Sequence, residues 1–352
     1  MIMNRYLKLL LLPGLLAVAA PAAAQSPVRP YGEWEATQFV ALNGHQPSDY
    51  VVPDNNWEIV YNLRTPHTLA ELRRMGVECS DSQLLLLEVG GLIRKTEGRW
   101  ETTIPILDEQ QTVSLREFGS EVAESVYGKT KTDFAALVDV IGKMGFRDNS
   151  LSLVFSYLLD GRMWTKLVLF EDINNNTTWS GCYWVLYEPR KGVACGTNSY
   201  GEQDLILTYV DSGIALGDEV MERYAAEISR YGKVTDAGLL RELLPYGLAD
   251  AEGNVTIPFI RKQPDDFHRL TDKLVGAISA ELKDNCVSLA ARYGIGDEKT
   301  AMVVLYHEVM WDLLDKLIRD KLISIPPIFA DRDAHKFRLN DVLFFVEGGL
   351  MQ

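Results

Sequence analysis

The dipeptide His307-Glu308 is the pattern in this chain of 352 residues that most resembles a catalytic motif. It lies in the stretch 301–318, whose apolar spacing predicts a helix. A zinc protease would need a second histidine in the pattern His-Glu-x-x-His, and position 311 is Trp. An internal alignment of the two halves of the chain places Asp160 opposite His307. The candidate catalytic residues are therefore His307, Glu308 and Asp160, with a buried, hydrogen-bonded polar pair as the structural alternative.

One polar stretch has the spacing of a calcium loop. Asp172, Asn174 and Asn176 occupy alternate positions, but an EF-hand needs Gly at its sixth position and Glu at its twelfth. Those positions are Thr177 and Tyr183, so a polar turn is the main interpretation; the stretch also contains an Asn-x-Thr glycosylation acceptor. No nucleophile elbow, phosphate-binding loop or dinucleotide-binding fingerprint occurs in the chain. We therefore expect no cofactor and no metal.

The four cysteines, Cys79, Cys182, Cys195 and Cys286, form no C-x-x-C pair, which gives no support to a zinc knuckle or a thioredoxin-type site. Cys182 and Cys195 flank residues 183–194, which are predicted to form a strand, a turn and a second strand. A disulfide between these two cysteines would hold that hairpin together. The alternative is two buried thiols, because free cysteine behaves as a small apolar residue.

The N-terminal residues have the three parts of a secretory signal peptide. Arg5 and Lys8 precede an apolar run over 9–20, and small residues at 21–24 lead to Gln25. The apolar run is too short to span a bilayer, which takes about 20 residues. We therefore expect residues 1–24 to be removed and the protein to be exported, to the periplasm or the extracellular space.

The composition is that of a soluble globular protein, with 47% hydrophobic residues and a mean hydropathy of −0.05. The formal charge of −14 becomes more negative when the basic signal peptide is removed. Such a charge disfavours binding to nucleic acid or to anionic lipid surfaces. The length suits about two domains of ~150 residues.

Two segments of the chain share a pattern that predicts an internal repeat. GLIRKTEGRWETTIPIL begins at Gly91, and GLADAEGNVTIPFI begins at Gly247. Each follows an apolar helical segment and precedes a long helical stretch that contains a Met-Trp pair, ending in Trp164 or Trp311. An aromatic, strand-like run closes each half. We predict two related units, 25–212 and 213–352.

The first unit contains start and stop signals for two short helices and a hairpin. Thr68 and Ser80 are N-cap candidates, Gly76 ends the first helix, and a turn at Glu97-Gly98 predicts a β-hairpin. Helix, turn, helix and hairpin together resemble the winged helix-turn-helix domain, over about 40 residues. The predicted fold is α+β and helix-rich, with two winged-helix-like cores, each followed by a helical connector and a closing β-hairpin.

The resemblance implies DNA binding, yet the residues needed for it are missing. The second helix carries Asp81, Gln83 and Glu88 where DNA-binding members present basic and amide side chains, and the second hairpin carries Asp250 and Glu252. We therefore predict an exported, non-catalytic binding or assembly protein, whose partner is a protein or a small ligand and which neither binds nucleic acid nor stays inserted in a membrane. One alternative is a hydrolase with its site between the repeats. Another is a DNA-binding regulator, if residues 1–24 are not a signal peptide. The leucines at 84–87 and the two tryptophans of the Met-Trp pairs are expected to be buried.

Overall fold

The computed structural model describes residues 28–42, 45–167, 179–192, 195–209 and 216–350. The predicted signal peptide and the Asn-rich stretch at 172–177 lie outside these ranges. The fold is α+β and helix-rich, as predicted. Among the described residues, no helix has the length and apolar character needed to cross a membrane.

The N-terminal part is a small module of helices and a hairpin. Its helix caps follow the predicted signals, since the side chains of Thr68 and Glu71 form one capping box and those of Ser80 and Gln83 form another. An isolated bridge between His67 and Trp100 joins the segment that precedes the helix Leu69–Arg74 to the hairpin. The elements are α1 (Pro47–Val51), α2 (Asn56–Asn62), α3 (Leu69–Arg74), α4 (Asp81–Val89), β2 (Ile93–Thr96) and β3 (Arg99–Thr102), and they follow strand β1 (Glu35–Leu42).

A three-stranded sheet separates this module from the helical body, with strand order β1-β5-β4. Alternate residues of the central strand β5 point to opposite faces. Cys182 and Trp184 belong to the core of the helical body, whereas Trp179 and Tyr183 belong to the core of the N-terminal module. Strand β5 (Trp179–Leu186) pairs antiparallel with β1 and parallel with the short strand β4 (Ile106–Leu107).

The helical body packs three long helices and a buried π-helix around the largest apolar core. Helices α5 and α11 approach closely at Gly119, where a Cβ would lie 2.7 Å from the Cβ of Glu308. The elements are α5 (Glu109–Lys143), α6 (Ser150–Ser152), the π-helix (Leu153–Arg162), α7 (Met163–Leu167), α10 (Asp266–Tyr293) and α11 (Glu298–Arg319).

The remaining elements form a second, smaller module with its own apolar core. Its sheet has strand order β6-β7-β9-β8, so β7, which carries β6 on its other edge, pairs with β9 beyond the predicted boundary at 212/213. The elements are β6 (Gly196–Tyr200), β7 (Leu205–Tyr209), α8 (Asp218–Tyr231), α9 (Ala237–Leu243), β8 (Phe259–Ile260), α12 (Arg332–His335) and β9 (Leu343–Val346).

Several local hydrogen bonds occur at matching places in the two halves. Gly91 and Gly247 both adopt a positive φ, of 69° and 66°, and the carbonyl of each accepts a hydrogen bond from a threonine hydroxyl. The amide of Val185 donates to Pro105 O at 2.9 Å, as the amide of Phe345 donates to Pro258 O at 2.8 Å. In both halves the strand after the proline thus runs parallel to the aromatic strand.

The closing hairpin predicted over 183–194 is wrong. The disulfide between Cys182 and Cys195 was predicted from that hairpin and is not supported either. Strand β5 pairs with β1 and β4, whereas β6 belongs to the other sheet. Both cysteines are free thiols. Cys182 lies near Asp297 at the start of α11, and Cys195 lies near Asp315 towards its end. Asp297 and Asp315 are about 27 Å apart at 1.5 Å per residue, so the two thiols lie beside different parts of α11.

The predicted burial of the leucines at 84–87 is correct for two of them. Leu84 and Leu87 are buried, but Leu85 and Leu86 are exposed, because α4 contacts the module with one face only. Trp164 is buried in α7, and Trp311 is half-buried against the main core.

Candidate functional site

His307 and Glu308 lie in the middle of α11, where the helix meets α5 and strand β5. His307 is 5% exposed and Glu308 is 0% exposed. A buried carboxylate is costly unless it is paired with a positive charge. The structure supplies that charge from outside α11.

Arg190, which follows β5, forms a bridge between two carboxylates of α11. Its Nη2 donates to Glu308 Oε2 at 2.7 Å, and its Nη1 donates to Asp312 Oδ1 at 2.5 Å. Glu308 and Asp312 are four residues apart, so both project from one side of the helix. The guanidinium thereby fixes the segment after β5 against α11.

A second arginine joins the N-terminal strand to the same cluster. Arg116 on α5 donates through Nη2 to Glu35 Oε2 at 2.9 Å, and its Nε lies 3.9 Å from Glu308 Oε2. The same Glu35 oxygen accepts the backbone amide of Arg190 at 2.7 Å. We call Glu35, Arg116, Arg190, Glu308 and Asp312 the ion cluster. It joins four segments of the chain that are far apart in sequence.

Both ring nitrogens of His307 are engaged. The indole Nε1 of Trp311 can only donate a hydrogen bond, and it lies 3.0 Å from His307 Nε2. His307 Nε2 is therefore the acceptor, which assigns the ring proton to Nδ1, 3.4 Å from Glu308 Oε1. The ring also meets Trp184 edge-on at a centroid distance of 5.2 Å, so aromatic contacts and hydrogen bonds together hold the ring in one orientation.

Glu308 is ionised at neutral pH despite its burial. Burial alone would raise the pKa of the carboxyl, but the hydrogen bond from His307, the proximity of that ring and then the charge of Arg190 outweigh it and bring the pKa to about 2. The carboxylate therefore remains a permanent partner for Arg190 and does not cycle as a general acid near neutral pH.

Glu35, His307 and Glu308 have ligand atoms within 4.8 Å of one another, as in a metal site. The arrangement does not fit a cation. Both carboxylates already face guanidinium groups. A metal on Nδ1 of His307 would also move the ring proton to Nε2, where it would oppose the N–H of Trp311. The residues are arranged as an ion-pair cluster rather than as a metal centre.

Asp160, the third predicted site residue, belongs to a different polar group. Burial raises the pKa of its carboxyl, which is partly offset by a hydrogen bond with Thr197 and by the proximity of His307. The hydroxyl groups of Thr197 and Ser156 lie 2.9 Å apart, and Ser156 in turn shares a hydrogen bond with Thr208 at 2.6 Å. Asp160 thus ends a chain of hydroxyl groups along the π-helix and does not join Glu308.

The sequence pointed to His307 and Glu308 but not to most of their partners. Glu35, Arg116 and Arg190 come from distant segments with no local motif. Only the spacing of Glu308 and Asp312 was a usable signal, because acids four residues apart on a buried helix need a common cation.

The surface of α4 offers a second candidate site. Leu85, Leu86 and Val89 are 60%, 41% and 51% exposed, and their spacing of three and four residues puts them on one face. Asp81 and Glu88 are exposed beside them. We call Leu85, Leu86 and Val89 the α4 face; it is apolar with an acidic border.

The basic residues of the adjacent β2–β3 hairpin contact acidic or aromatic side chains within the N-terminal module. Arg94 pairs with Glu101 at 2.7 Å, and Arg99 pairs with Glu71 at 2.7 Å. Lys95 lies over the ring of Trp100, 5.4 Å from its centroid. These cations face intramolecular partners, which reduces what they can offer to a phosphate backbone.

No protein-family model, no curated protein and no solved structure matches this chain.

Proposed function

We propose that this is an exported, non-catalytic binding protein that contacts a protein partner through the α4 face. The observation that carries the proposal is the exposure of three large apolar side chains on one short helix. Apolar residues clustered at an exposed surface favour a protein contact. In a winged helix the corresponding helix presents polar and basic groups to DNA, whereas here it presents leucine and valine.

The acidic border of the α4 face indicates the chemistry of the partner. Asp81 and Glu88 flank the apolar residues, and the whole chain is acidic. Two copies paired through this face would bring like charges together, which is destabilising. The partner that fits is an amphipathic helix with apolar residues on one face and basic residues at its margins.

The hydrolase alternative has less support from the geometry. A general base must have a nitrogen available to a substrate proton. Both nitrogens of His307 are engaged, and its partner Glu308 is fully buried. We infer that the ion cluster is structural and holds the sheet to the helical body.

We further propose that the chain contains two related winged-helix-like units. The matched hydrogen bonds at Gly91 and Gly247, and at Pro105 and Pro258, support this duplication. So does the parallel pairing of each post-proline strand with an aromatic strand. Strands β1 and β7 hold equivalent antiparallel positions, which favours a boundary before β6 instead of at 212/213.

Binding of a defined peptide tests the proposed function. The probe is a fluorescent amphipathic helical peptide of leucine and lysine, with binding followed by anisotropy. The double variant L85D/L86D should bind at least tenfold more weakly than the native protein. The matched control is V113D/V287D, which adds the same charge at exposed valines on α5 and α10 and should change binding less than twofold. Equal effects of both variants, or no binding by the native protein, would refute the α4 face as the binding site.

A further inference from the structure

One edge of the central sheet is only partly covered. β4 pairs with β5 at Val185 and Leu186 alone. The Val185 amide bonds to Pro105 on this side, and backbone groups alternate sides along a strand paired on both edges. The N–H and C=O groups of Tyr183, two residues earlier in the same strand, therefore face the same side. Within the described ranges, no hydrogen bond reaches them.

A cavity of about 1060 Å³ lies against this open edge. One wall comes from the N-terminal module and includes Ile93 and Thr102. Another wall comes from the turn between α10 and α11 and from the first residues of α11, and includes Ile295 and Thr300. The volume is in the range of ligand-binding clefts.

In the second half of the molecule, the corresponding edge of β9 has a hydrogen-bond partner. Leu343 stands two residues before Phe345, as Tyr183 stands two residues before Val185. The Leu343 carbonyl accepts a hydrogen bond from the buried side chain of Asn149 at 3.1 Å. The side chain of Asn149 thus forms a hydrogen bond with a backbone group at the edge of β9. The corresponding edge of β5 borders a cavity instead.

We propose that this cavity binds an extended peptide segment of another protein, which adds a strand to the open edge of β5. The open stretch from Trp179 to Tyr183 would match a peptide of about five residues at ~3.3 Å per residue. Gly181, with φ of 125°, places no side chain at the centre of the edge, so a second backbone can approach closely.

The walls of the cavity set the side-chain preference of the peptide. Alternate residues would point to the N-terminal module and to the α10–α11 turn. Among the charged groups that line the cavity, carboxylates outnumber guanidiniums, so an uncharged or basic peptide is favoured over an acidic one. The lining charged residues are Arg64, Arg94, Glu88, Glu101, Asp108 and Asp297. This site shares Glu88 with the border of the α4 face but none of its apolar residues, so either proposal can fail without the other.

Selection from a phage-displayed library of random heptapeptides tests the proposal. Gly296 lines the cavity, and a Cβ added there would meet open space, as it would at Gly217 outside the cavity. G296W should obstruct the cavity and reduce recovery of the peptides that the native protein enriches by at least tenfold. G217W should retain them, and so should L85D/L86D. No enrichment, or equal retention by G296W, would overturn the proposal.

Amide hydrogen exchange then locates the bound peptide. In the free protein the amide of Tyr183 should exchange faster than the amide of Trp184, which faces β1, and the selected peptide should slow the exchange of Tyr183 by at least tenfold. N-methylation of alternate peptide residues removes the backbone donors and should abolish the protection. Slow exchange in the free protein would mean that its own chain covers the edge, and that result would contradict the proposal.

Discussion

Glu308 illustrates how a single residue depends on segments far away in the chain. Sequence reasoning found the His307-Glu308 pair because the two stand together in a helical stretch. It could not find Arg116 or Arg190, since their proximity results from packing of the sheet on α5 and α11. The spacing of residues in a motif predicts contacts within one helix or strand. The ion cluster is formed by residues from several elements, so spacing alone does not predict it.

The pH dependence of stability should report on Glu308. Its pKa is lowered from 4.5 to about 2 in the folded state, so its contribution to stability is complete above pH ~4.5 and is lost as pH falls towards 2. That contribution is about 3 kcal/mol. Urea unfolding at a series of pH values should show E308Q less stable than the native protein at pH 7, with the difference shrinking below pH 4.5. E117Q, at an exposed carboxyl of α5, should follow the native curve, and a constant gap for E308Q would contradict the assignment.

Trp311 should contribute by packing and by its hydrogen bond. It stacks on Phe155 at a centroid distance of 5.4 Å and donates to His307. Trp311→Ala should lower the free energy of unfolding by about 3 to 5 kcal/mol. Trp311→Phe keeps most of the stacking and should cost about 1 kcal/mol for the lost hydrogen bond. Thermal melts measure both, and an unshifted midpoint for the alanine variant would argue against a structural role.

At the scale of elements, local sequence signals predicted individual helices and the hairpin, but they did not predict which strands pair with each other. The helices α3 and α4 and the β2–β3 hairpin follow from caps, glycines and alternation that lie within a few residues. The hairpin expected at 183–194 failed, because the partner of β5 is β1, more than a hundred residues earlier. The helix periodicity of α4 also left open which face would be buried, since leucines occur on both sides.

The contact between α5 and α11 depends on a missing side chain. Gly119→Ala would place its Cβ 2.7 Å from the Cβ of Glu308 and should destabilise the fold by about 1 to 3 kcal/mol. Gly128→Ala lies on the same helix, where an added Cβ meets nothing within 4 Å. It should stabilise by about 0.5 to 1 kcal/mol through helix propensity. Chemical denaturation of the two variants should give shifts of opposite sign, and equal shifts would contradict the close approach.

The two sides of α4 should respond differently to substitution. Leu87 is fully buried, so Leu87→Ala should cost about 2 to 5 kcal/mol. L85D/L86D changes exposed positions and should move stability by about 0.5 kcal/mol per site or less. Thermal melts distinguish the two cases, and a large loss in the aspartate variant would mean that the α4 face packs within the protein.

The whole molecule combines an acidic surface, an apolar patch and two halves with matched local geometry. The proposed export would place the proposed partner in the periplasm or outside the cell. Charge and composition could be read from the sequence, whereas the α4 face became evident only when exposure separated Leu85 and Leu86 from their buried neighbours. The central claim is that this face meets a protein.

Site-specific photo-crosslinking in the producing cells tests that claim most directly. A photoreactive residue at position 85 should yield one discrete protein adduct, and the adduct should weaken when Asp81 and Glu88 are both changed to lysine. The same residue at position 287, an exposed valine on α10, should give no such adduct. No adduct at position 85, the same adduct at both positions, or an adduct with nucleic acid would contradict the account.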